Sequence, residues 1–142
     1  MKKLALAAGA LLAATTLSSA AVVPAAGEDK VHTKRFVAKP IADHGLSAHT
    51  FAAAEVDRQA GHVIGYDSTT GHFYATGRVR IWYSFALKNG TITAVVHYDA
   101  TSGLYPGRIL HGTGKYKGID GTITARPVHN PEKTHITLTY HF

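Results

Sequence analysis

Four tyrosines stand where a phenol could meet a ligand. Tyr83, Tyr98 and Tyr140 lie on the apolar parity of alternating segments, and Tyr66 is a fourth. A phenol on an inward face can donate a hydrogen bond to a bound carbonyl or epoxide oxygen. The same ring serves equally as a core aromatic whose hydroxyl meets a backbone carbonyl. Arg78 and Arg80 flank Val79 on the opposite parity. They read as a solvated outer face, with recognition of an acidic ligand as the alternative.

Ten histidines raise the question of a metal, since neutral imidazole binds divalent ions well. Their spacing speaks against one. His135 and His141 share a strand face but lie about 20 Å apart along it. His97 and His111 fall at opposite ends of a hairpin, and no H-x-E-x-H or H-E-x-x-H run occurs. The absence of cysteine excludes thiolate zinc sites, cysteine nucleophiles and disulfides. No serine sits in a G-x-S-x-G elbow. The acids Asp43, Asp57, Asp67, Asp99 and Asp120 fall mostly in turns, and nothing in their spacing pairs two carboxylates for acid–base work. Neither a metal nor an organic cofactor is expected.

The stretch "RILHGTGKYKGIDGTITA", residues 108 to 125, has the look of a phosphate cradle. It fails as a Walker loop, because Gly114-Lys115 is followed by Tyr116 and no glycine stands five places before Gly114. It fails as a dinucleotide fingerprint as well. Gly112, Gly114 and Gly118 carry one residue too many in the second gap, and Gly121 opens a β-patterned run. The glycines at 112, 114, 118 and 121 instead form a structural turn that permits positive φ and close backbone approach. Tyr116 is expected to turn inward while Lys115 and Lys117 stay solvated.

The elements around these residues are strands. Hydrophobicity alternates with period two nearly to the C-terminus, giving eight expected strands at 31–38, 48–57, 61–67, 72–87, 91–98, 103–111, 121–127 and 134–142. Asn89-Gly90 reads as a hairpin turn with positive φ at both central positions. No segment outside the N-terminus offers an amphipathic helix of a dozen residues. Residues 1–26 have the layout of a secretory signal: Lys2-Lys3, an apolar run from Leu4 to Leu17, then small residues. Residues 27–46 form an extension with an edge strand, and 47–142 the barrel domain. Loss of Lys2 and Lys3 on export leaves 13 basic against 9 acidic side chains, a net +4. The basic residues are dispersed, which argues against nucleic acid. No membrane association is expected after cleavage.

The segment "HGTGKYKGIDGTITA" resembles the glycine-rich G-G-T-G-x-[FY]-x-G-x-x-G-x segment of the allene oxide cyclase and dirigent-like barrel proteins. "DRQAGHVIGYDSTTGHFYA" (57–75) and the closing "THITLTYHF" extend the resemblance over roughly residues 47 to 142. One departure is His111, which stands where the family's first glycine usually sits. The resemblance implies an all-β, eight-stranded antiparallel, calycin-like barrel with an apolar lumen that in relatives holds a hydrophobic small molecule. Some plant relatives cyclise an epoxide or steer the coupling of phenolic radicals by confining shape. Others, bacterial, are small secreted proteins, and relatives are often dimers or trimers, so a homo-oligomer is compatible. No catalytic residue carries over.

The preferred expectation is therefore a secreted barrel that binds an apolar or aromatic small molecule without turnover. The alternative is a cyclase, isomerase or dirigent-type protein that templates ring closure without metal or organic cofactor. A non-catalytic structural or interaction protein is the second alternative. Expected lumen residues are Tyr66, Phe73, Ile81, Tyr83, Ala94, Tyr98, Ile136 and Tyr140, with room left beside them by Ala75, Gly77, Ala94 and Ala125.

Overall fold

The computed structural model describes residues 30–129 and 132–142. The signal-like segment 1–26 lies outside them. Eight strands run β1 (His32–Ser47), β2 (Thr50–Gln59), β3 (His62–Phe73), β4 (Val79–Leu87), β5 (Gly90–His97), β6 (Tyr105–Gly112), β7 (Asp120–His129) and β8 (Glu132–His141). Each pairs antiparallel with the next, and β8 returns to β1 to close the barrel. Closure satisfies both edges of the sheet, which an open sheet of this length would leave exposed.

Alternation along the strands fills the interior. Phe36, Ala38, Tyr83, Phe85, Ile92, Ala94, Val96, Ile123, Ile136 and Leu138 are all buried in one cluster. At its centre Phe85 stacks on Tyr83 with ring centroids 5.2 Å apart and meets Phe36 edge-on at 5.4 Å. An eight-stranded barrel has just enough interior for such side chains.

Several expected boundaries move. The strand expected over 72–87 is two strands, separated by a turn at Tyr74–Arg78 in which the Tyr74 amide donates to the Arg78 carbonyl at 2.8 Å. Phe73 and Val79 share a parity across the turn, so the hydrophobic alternation runs through the break undisturbed. Ala75 and Gly77 lie in that turn, exposed, and leave no space in the lumen. The expected edge strand of the extension is β1, paired with β8 over His32–Ala38 and with β2 from Val37 onward. Past Ala38 only β2 flanks it. Pro40 is tolerated there because no second neighbour needs an N–H from it.

The primed turn is also elsewhere. Ala60 and Gly61, with φ of 50° and 83°, link β2 to β3 as a two-residue loop between Gln59 and His62. In the β4–β5 hairpin Leu87 pairs with Gly90, so Lys88 and Asn89 occupy the centre, and neither has positive φ. Gly90 matters for a different reason. A Cβ there would collide with the Thr113 carbonyl, because the glycine connector lies across this hairpin.

That connector, between β6 and β7, forms a short 3-10 turn at Gly114–Tyr116. Tyr116 and Ile119 enter the core while Lys115 and Lys117 stay exposed, as their alternation predicts. The Lys115 amide donates to the Asn89 carbonyl at 2.8 Å, and the Thr113 and Thr91 hydroxyls meet at 2.8 Å. The connector thus plugs the end of the barrel that carries the β2–β3 and β4–β5 turns. The opposite end, with the β3–β4 and β5–β6 turns, has no such plug among the described residues.

Gly114 and Gly118 have φ of 57° and 83°. Replacing either with alanine should destabilise the protein by about 1 kcal/mol or more in urea unfolding. Gly114→Ala should cost more, since its Cβ would also strike the Asn89 carbonyl, whereas Gly118 faces open space. Equal, negligible costs would contradict this reading of the turn.

Candidate functional site

The lumen contains a feature that hydrophobic patterning does not anticipate. Three carboxyls face inward: Glu55 and Asp57 from β2 and Asp67 from β3, with residue exposures of 7%, 0% and 4%. A single residue, Val56, separates Glu55 from Asp57, so the pleat sends both to one face. The hairpin turned at Ala60-Gly61, with a one-residue register shift between Arg58 and Asp57, then sets Asp67 directly across from Glu55. Asp57 lies between two small residues, Ala38 on β1 and Gly65 on β3, which leave it space.

No N–H, hydroxyl or cation among the described residues donates to either oxygen of Asp57 or of Asp67. The groups near enough to interact are the other acids, so any hydrogen bond between them needs a retained proton. Burial raises all three pKa values. Asp67 rises furthest, to about 10, from loss of solvent, then from the charges of Glu55 and Asp57. Asp57 rises to about 6, also by burial, with a hydrogen bond from Asp67 acting in the opposite sense. Glu55 is raised by burial, offset in part by its hydrogen bond with Asp67. Burial and mutual repulsion thus favour a proton kept within the group at neutral pH, and they favour it most at Asp67, which then acts as a hydrogen-bond donor.

Tyr83 adjoins the cluster. Its cross-strand neighbour Thr69 is also buried, and its phenol is raised by burial, then by the charges of Glu55 and Asp67, and more weakly by Tyr105. Tyr105 in turn lies 5.1 Å, ring to ring, from Tyr98 at the unplugged rim. A file of polar groups therefore leads inward: Tyr98, Tyr105, Tyr83, then the carboxyls. At the rim a cleft of about 850 Å³ is lined by Tyr74, Arg78, Val79, Arg80, His97 and Tyr98, among others. It does not reach the carboxyls, whose aspartate oxygens are closed off from solvent. Among the described residues no group of three or more His, Asp or Glu side chains is arranged to hold a metal ion.

The expected lumen residues divide. Tyr83, Ala94 and Ile136 are buried together in the core, and Ile81 packs against them half-buried. Tyr98 sits at the open rim, and Phe73, also at that rim, leans on Phe51 at 5.5 Å. Tyr140 is at the plugged end, stacked on His32 at 5.5 Å. Tyr66 points outward, 56% exposed. On β3 the inward parity belongs to Gly65, Asp67, Thr69 and Gly71. Assigning the inward face to the apolar ring puts that strand the wrong way round, because here acid and small residues face in. Asp57 and Asp67, expected at strand ends beside turns, lie inside β2 and β3. His111 is exposed on β6, its ring nitrogen 3.4 Å from the Thr93 hydroxyl.

No protein-family model matches the sequence, and no curated protein matches it. Solved structures do match. Pyocyanin demethylase superposes with a TM-score of 0.65 at 19% identity, covering 77% of this chain and 99% of that one. An exo-specific intermolecular Diels–Alderase gives 0.62 at 13% identity, over 80% and 99%. A pterocarpan synthase dirigent protein gives 0.59 at 12% identity, over 91% and 99%. The fold is that of the allene oxide cyclase and dirigent-like barrels.

A raised carboxyl pKa has a defined effect on stability. The folded chain keeps a proton on Asp67 that the unfolded chain, near the ordinary value of 3.8, has lost. Stability is therefore highest at acid pH and falls as pH rises toward about 10, with Asp57 contributing between 3.8 and about 6. Thermal unfolding should give a higher Tm at about pH 5 than at about pH 9. Asp67→Asn should flatten the dependence and stabilise the protein at about pH 9 by roughly 1–3 kcal/mol. A Tm that rises with pH would contradict the assignment.

Proposed function

We propose that the protein is an exported barrel that binds a small hydrophobic or aromatic molecule in its lumen without turnover, holding a polar atom of that molecule against Asp57, Asp67, Glu55 and Tyr83. One observation carries this reading: among the described residues the buried Asp57 and Asp67 receive no hydrogen bond from any N–H, hydroxyl or cation, only from the carboxyls of their own cluster. Buried polar groups are as a rule paired, and a barrel with nothing to bind would gain by replacing them with apolar side chains. A ligand hydroxyl or N–H supplies the missing donor to an ionised carboxylate. A ligand carbonyl accepts from neutral Asp67. The core side chains Phe36, Phe85, Ala94 and Ile136, packed against one another in the structure, part to take the rest of the molecule. Access is through the open rim, past Tyr98 and Tyr105.

The fold neighbours support the ligand class, being named for chemistry on small organic molecules: pyocyanin, a Diels–Alder product, a pterocarpan. The segment 1–26, with Lys2-Lys3 and its apolar run, supports export.

A second reading rests on the neutral Asp67. An acid kept protonated in an apolar site polarises a carbonyl or epoxide oxygen that an ionised one repels. With Glu55 or Asp57 receiving a proton in return, such a pair supports ring closure or isomerisation of the bound molecule. The step moves protons only and calls for neither metal nor organic cofactor.

Native mass spectrometry of protein purified from its own host should show one retained small molecule per chain. The neutral dye N-phenylnaphthylamine should bind one-to-one and be excluded by Ala94→Phe or the milder Ala125→Val. Asp57→Asn with Asp67→Asn should lose the host molecule while unfolding at higher temperature, the signature of acids kept for binding. A wild-type barrel that takes up neither molecule nor dye would overturn lumen binding. Ring closure conserves mass, so a changed chromatographic retention at unchanged mass would select the second reading.

A further inference from the structure

The barrel wall sorts its charges. All three acids of β2 and β3 point inward, while the register places His72, Arg80 and His97 side by side across the outer face of β3, β4 and β5. The rim cleft of about 850 Å³ is lined by Arg80 and His97 of this row, and a second of about 580 Å³ shares both residues with it and continues past Trp82 and Arg108. Neither is lined by an Asp or Glu. Tyr74 and Tyr98 form aromatic walls of the first, and the Arg80 guanidinium stands 5.8 Å from the centre of the Trp82 ring.

We propose that this rim cleft is a second binding site, distinct from the lumen, for an aromatic anion: a planar ring bearing a carboxylate, sulfonate or phosphate. Arg78 and Arg80 supply forked donors that match such oxyanions two bonds at a time. Tyr74 and Tyr98 offer ring faces and edges to the aromatic part. The walls are set before binding. The Tyr74 and Gly77 amides close the turn onto the Arg78 and Tyr74 carbonyls at 2.8 and 2.9 Å, and His72 braces the Tyr74 ring edge-on at 4.5 Å. The Tyr98 amide is fixed on the Val79 carbonyl at 3.0 Å. The guanidinium of Arg80 lies over the Trp82 ring, and this contact restricts it before a ligand binds. The volume falls in the range of small-molecule sites, roughly 300–1,000 Å³. The absence of acids leaves the anion without a repelling partner in either cleft.

The chain has a single tryptophan, and Trp82 stands beside Arg80 of the site and lines the adjoining cleft, so its fluorescence reports occupancy. The probe is 4-nitrobenzoate, a quencher, with its uncharged methyl ester as control and calorimetry as an independent reading. The acid should quench saturably at one per chain, the ester should not, and added salt should weaken binding. Arg80→Gln should weaken it about ten-fold or more, and so should Arg78→Gln, which leaves the indole's neighbour in place. Asp67→Asn should leave affinity unchanged. Equal binding of the ester, or full affinity in both arginine variants, would overturn the site. Loss of binding in Asp67→Asn would instead put the anion in the lumen and overturn its separateness.

Discussion

Three carboxyls enclosed in an apolar barrel, with no cation paired to the aspartates among the described residues, set the terms for the rest of this molecule. An isolated charge in such a place is too costly to keep, so the group resolves the conflict by holding on to protons. That choice fixes the chemistry of the lumen. Asp67 becomes a donor, Glu55 and Asp57 become its acceptors, and Tyr83 is pressed further toward its neutral form. Burial elsewhere must offset the penalty, and the Phe36–Phe85–Tyr83 stack with its surrounding isoleucines does so.

The two ends of the barrel follow from this. The glycine connector brings Tyr116 and Ile119 down onto the core and ties itself to the β4–β5 hairpin through Asn89 and Thr91. Glycines at 90 and 114 let the two backbones approach as closely as they do. With that end sealed, the polar file from Tyr98 through Tyr105 to Tyr83 joins the carboxyls to the other. The same wall that turns its acids inward presents arginine and aromatic rings outward, so one sheet offers acceptors to the lumen and donors to the rim.

Much of the fold was legible in sequence, and the site was not. Alternation gave eight strands, and the 108–125 stretch runs as the end of β6, a connector over 113–119 and the start of β7. Period two locates strands but cannot see a turn that preserves parity, hence the merged 72–87 strand. It also assumes that apolar faces in. On β3 that assumption turned Tyr66 inward and hid Asp67. Even with Ala60-Gly61 taken as the loop, counting back from it sets Glu55 against Tyr66; a one-residue register shift between Arg58 and Asp57 moves its partner to Asp67, and no turn signal marks that shift. The loop itself is masked because alanine seldom adopts positive φ, so Ala60 does not announce a primed turn as Asn89 does. Which protons the three acids keep depends on desolvation by strands distant in sequence, and no local pattern carries that.

The protonation of Asp67 can be observed directly by following its side-chain carboxyl carbon by NMR across pH, with Asp67→Asn to assign the resonance. The resonance should be that of a neutral acid at about pH 7 and should titrate several units above the ordinary aspartate range. A carboxylate resonance at that pH, titrating near the ordinary value of 3.8, would mean that the lumen solvates its acids, and the reading of this barrel as a proton-holding site would fall.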